Sequence, residues 1–223
     1  MNPLYVALDT PELAAARSLG QALRPHVGGL KLGLEFFLAN GLPGALVMAA
    51  EGLPIFLDLK LHDIPNTVAG AVRALVPLAP AILTVHASGG HAMMRAAKTS
   101  APVGTRVVAV TMLTSLDAHD LREMGLGRDP ARLARSLAAS ARAAGLDGVV
   151  CSPHEVRAIK AVWPECLAVV PGIRPEGGAA GDQKRAATPA QALREGADIL
   201  VVGRPITGAP NPAAAAAEIA AAL

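Results

Sequence analysis

Eight short apolar runs recur along this chain, and their alternation with helical segments constrains the fold more than any other feature. The runs are rich in Val, Ile and Leu, and the alanine-rich segments between them carry apolar residues at helical spacing. They cover residues 4–8, 29–32, 55–59, 82–86, 106–110, 148–151, 168–170 and 199–202. Spread over 223 residues, one run and one helix take about 28 residues, close to the size of a βα unit.

Continuous apolar runs such as Ile199-Leu200-Val201-Val202 are typical of parallel strands that are covered on both faces. Eight such units can close on themselves. We therefore predict an α/β protein with a (β/α)8 TIM-barrel fold, in which residues 1–223 form one domain. An open, doubly wound sheet is the alternative that the pattern leaves.

Composition excludes several classes of protein. The net charge is only +2, and the chain has one Trp, one Tyr and three Phe, so neither a basic surface nor an aromatic platform for nucleic acid is expected. No apolar stretch reaches the roughly 20 residues that span a bilayer, and the N-terminus lacks the basic region of a signal peptide. Cys151 and Cys166 form no disulfide framework. We expect a cytoplasmic protein that binds neither membrane nor nucleic acid.

The most informative segment is DLKLHDIPNT at residues 58–67. If residues 55–59 form a strand, Asp58 and Lys60 are two positions apart and point to the same face, at the mouth of the barrel. A buried acid and a buried ammonium group would favour each other's charged form. Asp63 lies beyond the strand, in the turn before a helix that begins near Pro65.

Two further charged residues follow other strands. Asp9 follows the first run and Lys31 lies at the end of the second. Together with Asp58, Lys60 and Asp63 they predict a row of alternating carboxylates and ammonium groups at one rim. Such an array could stabilise a developing carbanion.

A phosphate site is predicted at the same rim. The last strand ends in Gly203-Arg204, where glycine allows backbone N–H groups to approach an anion and arginine matches its oxygens. Residues 171–188 form a glycine-rich connection far longer than the usual 2–6 residues, and we expect it to close over the phosphate. Arg174, Gln183 and Lys184 lie on it.

The histidines do not predict a metal site. His86 and His91 are five residues apart, which is not the spacing of a helical ligand pair, and no acid close in sequence completes a site. The chain also lacks a nucleophile elbow, a Walker loop and a dinucleotide-binding glycine motif.

These motifs, in this order, resemble the orotidine 5′-phosphate decarboxylase family in its bacterial form. The matching segments run through nearly the whole chain, and DLKLHDIPNT is the most specific of them. The others are VALD at 6–9, KLG at 31–33, LTVHASGG at 83–90, MLTS at 112–115, PGIR at 171–174, GDQKR at 181–185 and VGRP at 202–205.

The resemblance implies decarboxylation of orotidine 5′-phosphate to UMP, without metal or organic cofactor. Lys60 would protonate C6 of the pyrimidine as carbon dioxide leaves, with Asp58 beside the departing carboxylate. Lys31 would complete the charged array and touch the ribose. We expect His62, inside the same segment, to support its neighbours rather than to act in catalysis.

The resemblance also implies a homodimer with shared active sites. Asp63 and Thr67 would act on the site of the partner subunit. The remaining substrate-binding residues it implies are Asp9 at the ribose, Thr114 near the base, and Pro171, Arg174, Gln183, Gly203 and Arg204 around the phosphate.

Two alternatives remain open on the sequence. One is a magnesium-dependent sugar-phosphate decarboxylase or aldolase of the same barrel superfamily, although Ile64-Pro65-Asn66-Thr67 matches the nucleotide branch. The other is a non-catalytic barrel that binds a phosphate ligand.

Overall fold

Eight parallel strands close into a barrel in the computed structural model, which describes residues 2–127, 129–174 and 187–223. Each strand pairs in parallel with the next along the chain, and β8 pairs with β1, with Tyr5 opposite Val201. The predicted (β/α)8 barrel is therefore confirmed, and the open doubly wound sheet is excluded. The strands are β1 Leu4–Ala7, β2 Gly29–Leu32, β3 Ile55–Leu61, β4 Ile82–His86, β5 Arg106–Val110, β6 Gly148–Val150, β7 Leu167–Val170 and β8 Ile199–Val202.

Helices return the chain between strands and cover the outside of the barrel. Within the described residues they are α1 Leu13–Leu23, α2 Leu34–Ala49, α3 Pro65–Ala74, α4 Gly90–Ser100, α5 Ala118–Glu123, α6 Pro130–Ala143, α7 Val156–Val162, α8 Pro189–Arg194, α9 Arg204–Thr207 and α10 Pro212–Ala221, with a 3₁₀ turn at Ala87–Gly89. α2 is kinked at Gly41, where φ is 60°. None of these helices is long and apolar enough to cross a membrane.

The strands bury both of their faces, as a parallel barrel requires. Outward side chains pack against the helices in the larger core, which includes Leu30, Leu57 and Leu83. Inward side chains fill the barrel itself. This inner core contains Tyr5, Ala7, Phe56, Ile82, Val108, Leu167, Val169, Ile199 and Val201.

β3 departs from the predicted strand. It extends to Leu61, two residues further than the apolar run indicated, and its register against β4 shifts on the way. Leu57 pairs with Leu83 and Leu61 with Val85, so β3 advances by four residues while β4 advances by two. This bulge lies at the carboxyl end of the barrel, which carries the active site in barrel enzymes.

At the opposite, amino-terminal end of the barrel, an ion pair joins a helix to the sheet. Asp147, which precedes β6, accepts hydrogen bonds of 2.6 and 2.7 Å from Nζ of Lys98 on α4. It also accepts a 2.7 Å bond from the backbone N–H of Val107 on β5. The Lys98–Asp147 pair is thus part of the scaffold and lies away from the predicted site.

The long connection after β7 is held together at its base. Ile173 forms a β-bridge with Ala187, and the N–H of Arg174 donates a 3.0 Å hydrogen bond to the carbonyl of Ala187. Residues 175–186 lie outside the described residues, and the predicted closure over a phosphate falls largely on them.

Candidate active site

A cavity of about 550 Å³ opens at the carboxyl ends of the strands. Phe56, Val110 and Val201 contribute apolar side chains to it, and its charged and polar side chains come from the ends of six strands and the segments that follow them. These are Asp9, Lys31, Glu35, Asp58, Lys60, Thr114, Arg174 and Arg204. A cavity of this size, part apolar and with convergent polar groups, is typical of a small-molecule site.

Four of the charged side chains form a continuous row of alternating sign. Lys31 Nζ lies 3.2 Å from Asp9 Oδ1 and 3.6 Å from Asp58 Oδ2. Lys60 Nζ donates a 2.8 Å hydrogen bond to the same Oδ2 of Asp58. One carboxylate oxygen is therefore shared by two ammonium groups, which come from β2 and β3.

Asp58 is the most enclosed carboxylate of this row, with 8% of its surface exposed. Burial raises the pKa of Asp58, but the positive charges of Lys31 and Lys60, together with hydrogen bonds from Lys60 and Thr84, lower it more. Its pKa therefore lies below the ordinary value. The site holds an ionised carboxylate at neutral pH.

Asp58 and Lys60 meet through the bulge and not through regular strand alternation. Lys60 has φ of 50°, a left-handed conformation that is unusual for a residue with a side chain. Holding it costs on the order of 1–3 kcal/mol, which the surrounding structure must supply, and such conformations cluster at functional sites. The expected contact between the two side chains is present, but its geometry depends on this local distortion.

Two histidine rings contact each other near the charged row. The centroids of His62 and His86 are 5.4 Å apart, with the rings tilted by 40°. Burial, and then the charges of His62 and Lys60, lower the pKa of His86, while Asp58 raises it by less. His86 is therefore a neutral imidazole at pH 7.

Two arginines also line the cavity. Arg174 follows β7 and Arg204 follows β8, and both line the cavity with Pro171, Gly172 and Gly203. Nη1 of Arg174 donates a 2.9 Å hydrogen bond to the carbonyl of Ile173, which directs part of this side chain back to its own loop. The ends of β7 and β8 are where barrel enzymes commonly bind phosphate.

Two of the predicted site residues are not placed at the cavity of their own subunit. Asp63 and Thr67 are exposed, and neither is among the described residues that line the cavity. Oδ1 of Asp63 instead accepts a 2.6 Å hydrogen bond from the N–H of Ile64. Gln183 lies outside the described residues.

Sequence reasoning missed Thr84 and Glu35. Glu35 lines the cavity from the first turn of α2. Thr84 is fully buried, and its hydroxyl donates a 2.9 Å hydrogen bond to Oδ1 of Asp58. The sequence did contain a signal for Thr84. It is the only polar residue in the stretch Ile82–Val85, and it lies two residues after Ile82, whose side chain points into the barrel.

The carboxylates of the row are already engaged by ammonium groups. Within residues 2–127, 129–174 and 187–223, no three Asp, Glu, His or Cys side chains are grouped as metal ligands would be. The arrangement can bind an anion at the arginines and present an ammonium proton next to a buried negative charge.

Comparison with known proteins gives a consistent result. Residues 2–219 match the model of the orotidine 5′-phosphate decarboxylase / HUMPS family. Curated proteins named orotidine 5′-phosphate decarboxylase are similar over the full chain. The one from Sphingopyxis alaskensis is 62% identical over 100% of this chain and 99% of its own length. The one from Novosphingobium aromaticivorans is 58% identical with the same coverage.

A solved structure has the same architecture. The crystal structure of orotidine 5′-phosphate decarboxylase from Lactobacillus acidophilus superposes with a TM-score of 0.85 at 39% identity. The match covers 98% of this chain and 97% of that one. The barrel is therefore shared over nearly the whole of both chains, and not only around the cavity.

Proposed function

This chain belongs to the orotidine 5′-phosphate decarboxylase / HUMPS family, and from that premise we propose how it converts orotidine 5′-phosphate to UMP and carbon dioxide in pyrimidine biosynthesis. Lys60 is the proton donor to C6, Asp58 lies beside the departing carboxylate, and Lys31 completes the charged row. The observation that carries this proposal is the 2.8 Å contact between Lys60 Nζ and Asp58 Oδ2 inside a cavity that also contains two arginines.

The chemistry requires such a pair. When the bond between C6 and the carboxylate breaks, its electron pair stays on C6, in an orbital with no adjacent carbonyl to delocalise it. Preorganised charge must then stabilise the carbanion. The Lys60 ammonium group supplies that charge and transfers its proton to C6, which leaves a neutral amine that is protonated again from solvent.

The bound carboxylate would lie close to the ionised side chain of Asp58. Two negative charges near one another raise the energy of the bound substrate, and the repulsion disappears when neutral carbon dioxide leaves. Because Asp58 is held by two ammonium groups, it keeps its charge and position while the substrate binds.

The remaining contacts position the substrate. We assign Arg174, Arg204, Gly203, Pro171 and Gln183 to the phosphate, Asp9 and Lys31 to the ribose, and Thr114 to the base. The arginines follow β7 and β8 and line the same cavity as the charged row. Binding energy from a phosphate that does not react can order the catalytic groups and so appear as rate. The role of residues 171–188 in closing over the phosphate stays a prediction.

We propose a homodimer in which Asp63 and Thr67 complete the partner's site. Both are exposed at the rim of their own barrel, and Ile64 between them is 67% exposed, which favours a contact with another protein surface. The cytoplasmic location stays a prediction. It is supported by Cys151 and Cys166, which are buried and not joined by a disulfide, as expected in a reducing compartment.

A turnover assay tests the function. Orotidine 5′-phosphate is incubated with purified protein, and its consumption is followed by the loss of ultraviolet absorbance, with and without EDTA. Turnover that is insensitive to EDTA is expected. Turnover abolished by EDTA would favour the magnesium-dependent sugar-phosphate enzyme, and binding without turnover would make the chain a phosphate-binding barrel.

A further inference from the structure

Thr84 occupies the centre of the hydrogen-bond arrangement around Asp58. Its side chain is fully buried in β4, the strand that neighbours the one carrying Asp58 and Lys60. The hydroxyl donates a 2.9 Å hydrogen bond to Asp58 Oδ1 and accepts a 2.8 Å hydrogen bond from the backbone N–H of Lys60. One oxygen atom thus holds a carboxylate and a main chain at the same time.

The bulge explains why a side chain takes this place. Between the pairs Leu57–Leu83 and Leu61–Val85, β3 contains two residues more than β4, so the backbone ladder is interrupted there. A backbone N–H that has no carbonyl partner at this bulge needs another acceptor, because a buried donor without a hydrogen bond destabilises the fold. For Lys60 that acceptor is the Thr84 hydroxyl.

We propose that Thr84 is a positioning residue for decarboxylation, which fixes the left-handed backbone of Lys60 and the carboxylate of Asp58 in one rigid unit. The inference rests on the roles proposed above for Lys60 and Asp58. Thr84 itself does not line the cavity among the described residues. It acts on the substrate only through the two residues that it holds.

Both functions of the hydroxyl are needed together. Lys60 at φ of 50° is held against a local preference for other conformations, so loss of its N–H partner frees the main chain to relax. The two oxygens of Asp58 also have separate partners, with Thr84 on Oδ1 and the ammonium groups on Oδ2. Loss of the first partner lets the carboxylate rotate away from the geometry that places Lys60.

The electrostatic consequence has a defined sign. The charged and titratable groups that face Asp58 are Lys31 from β2, Lys60 from β3 and His86 from the end of β4. The hydrogen bond from Thr84 lowers the pKa of Asp58 along with the two ammonium groups. Removing the hydroxyl therefore raises the pKa of Asp58, and we expect the acid limb of kcat/KM to move to higher pH because the ionised carboxylate is the form that positions Lys60.

Valine, serine and alanine substitutions separate the hydroxyl from the packing. Thr84→Val keeps the shape and loses the hydroxyl, and we expect kcat to fall by about 10- to 100-fold, as for loss of a hydrogen bond to a charged group. KM changes little, because the arginines and Asp9 are untouched. Thr84→Ser recovers most of kcat and the wild-type pH profile.

The chain provides a matched control in Thr105. This threonine is also buried, but its hydroxyl has no hydrogen-bond partner among the described residues. Thr105→Val makes the same chemical change outside the site, and we expect it to leave kcat and the acid limb unchanged. If Thr84→Val does not fold, Thr84→Ala and Thr84→Ser give the same comparison of hydroxyl against none in a smaller side chain.

The outcomes distinguish this inference from the proposed function. If the wild-type protein turns over the substrate and Thr84→Val has the same kcat and pH profile, the positioning role of Thr84 is overturned and the proposed function is not. Equal losses in Thr84→Val and Thr84→Ser, with no shift of the acid limb, would also overturn it, because packing and not the hydroxyl would then be responsible. A wild-type protein without turnover would overturn both.

Discussion

Lys31 Nζ lies 3.2 Å from Oδ1 of Asp9, so the ends of the adjacent strands β2 and β1 are joined by opposite charges at the mouth of the cavity. The contact is possible because the residue that immediately precedes α2, Gly33, has no side chain. A Cβ at Gly33 would lie 2.7 Å from Lys31 Nζ and 2.9 Å from Asp9 Oδ1. The proximity of the two charged groups therefore depends on the absence of one carbon atom.

Gly33→Ala is expected to reduce kcat/KM by about tenfold or more, comparable to loss of one charge-assisted hydrogen bond. The backbone at Gly33, with φ of −92° and ψ of −171°, suits alanine, so the cause would be the clash with the charged pair. Steady-state kinetics measure the effect. Gly20→Ala is the control, because its Cβ meets only the flexible ends of Leu30 and Met48. Unchanged kinetics in Gly33→Ala would contradict the role of the Lys31–Asp9 contact.

Lys60→Ala is expected to lose at least about 100- to 10,000-fold in kcat, the range for a positioned proton donor. Circular dichroism and thermal unfolding should show that the fold is retained. Lys98→Ala is a matched control. Its ammonium group is 2.6 Å from Asp147, and its side chain is 31% exposed, compared with 2.8 Å and 29% for Lys60. If both variants lose activity equally, the loss does not report on proton transfer.

Mixing Lys60→Ala with Asp63→Ala tests the shared site. Each homodimer should be inactive, but a mixed dimer contains one site with both residues intact. At full exchange of equal amounts, roughly one quarter of wild-type activity should return, since half of the dimers are mixed and half of their sites are whole. Subunit exchange is monitored with fluorescent labels. Exchange without any return of activity would show that Asp63 does not act across the interface.

Asp147→Ala is expected to lower the free energy of unfolding by about 1–2 kcal/mol, because the N–H of Val107 and the Lys98 ammonium group lose their acceptor. The pair is only partly buried, so the upper end of the usual range does not apply. Urea unfolding measures the change. Since Asp147 lies at the amino-terminal end of the barrel, kcat should stay at the wild-type value. A fall in kcat at a temperature where the variant is folded would contradict this separation of stability from catalysis.

The pattern of apolar residues within short segments was sufficient to predict the barrel. A run such as Ile199–Val202 is apolar on both faces. Such a run predicts a buried parallel strand without any knowledge of which strands will be its neighbours. The bounds of β2, β4, β5 and β8 agree with the predicted ones for this reason. β3 was predicted too short, because its last two residues lie in a bulge that depends on the register of β4.

The sequence by itself determined which charged residues lie at or just after the ends of strands, among them Asp9, Lys31, Asp58 and Lys60. Only the tertiary structure decided that a single oxygen of Asp58 would receive both ammonium groups, and that Thr84, from another strand, would hold the backbone of Lys60. The physical reason is that residue spacing defines direction within one strand, whereas distances between strands arise from closure and register. The distances between side chains on different strands therefore cannot be predicted from the periodicity of the sequence.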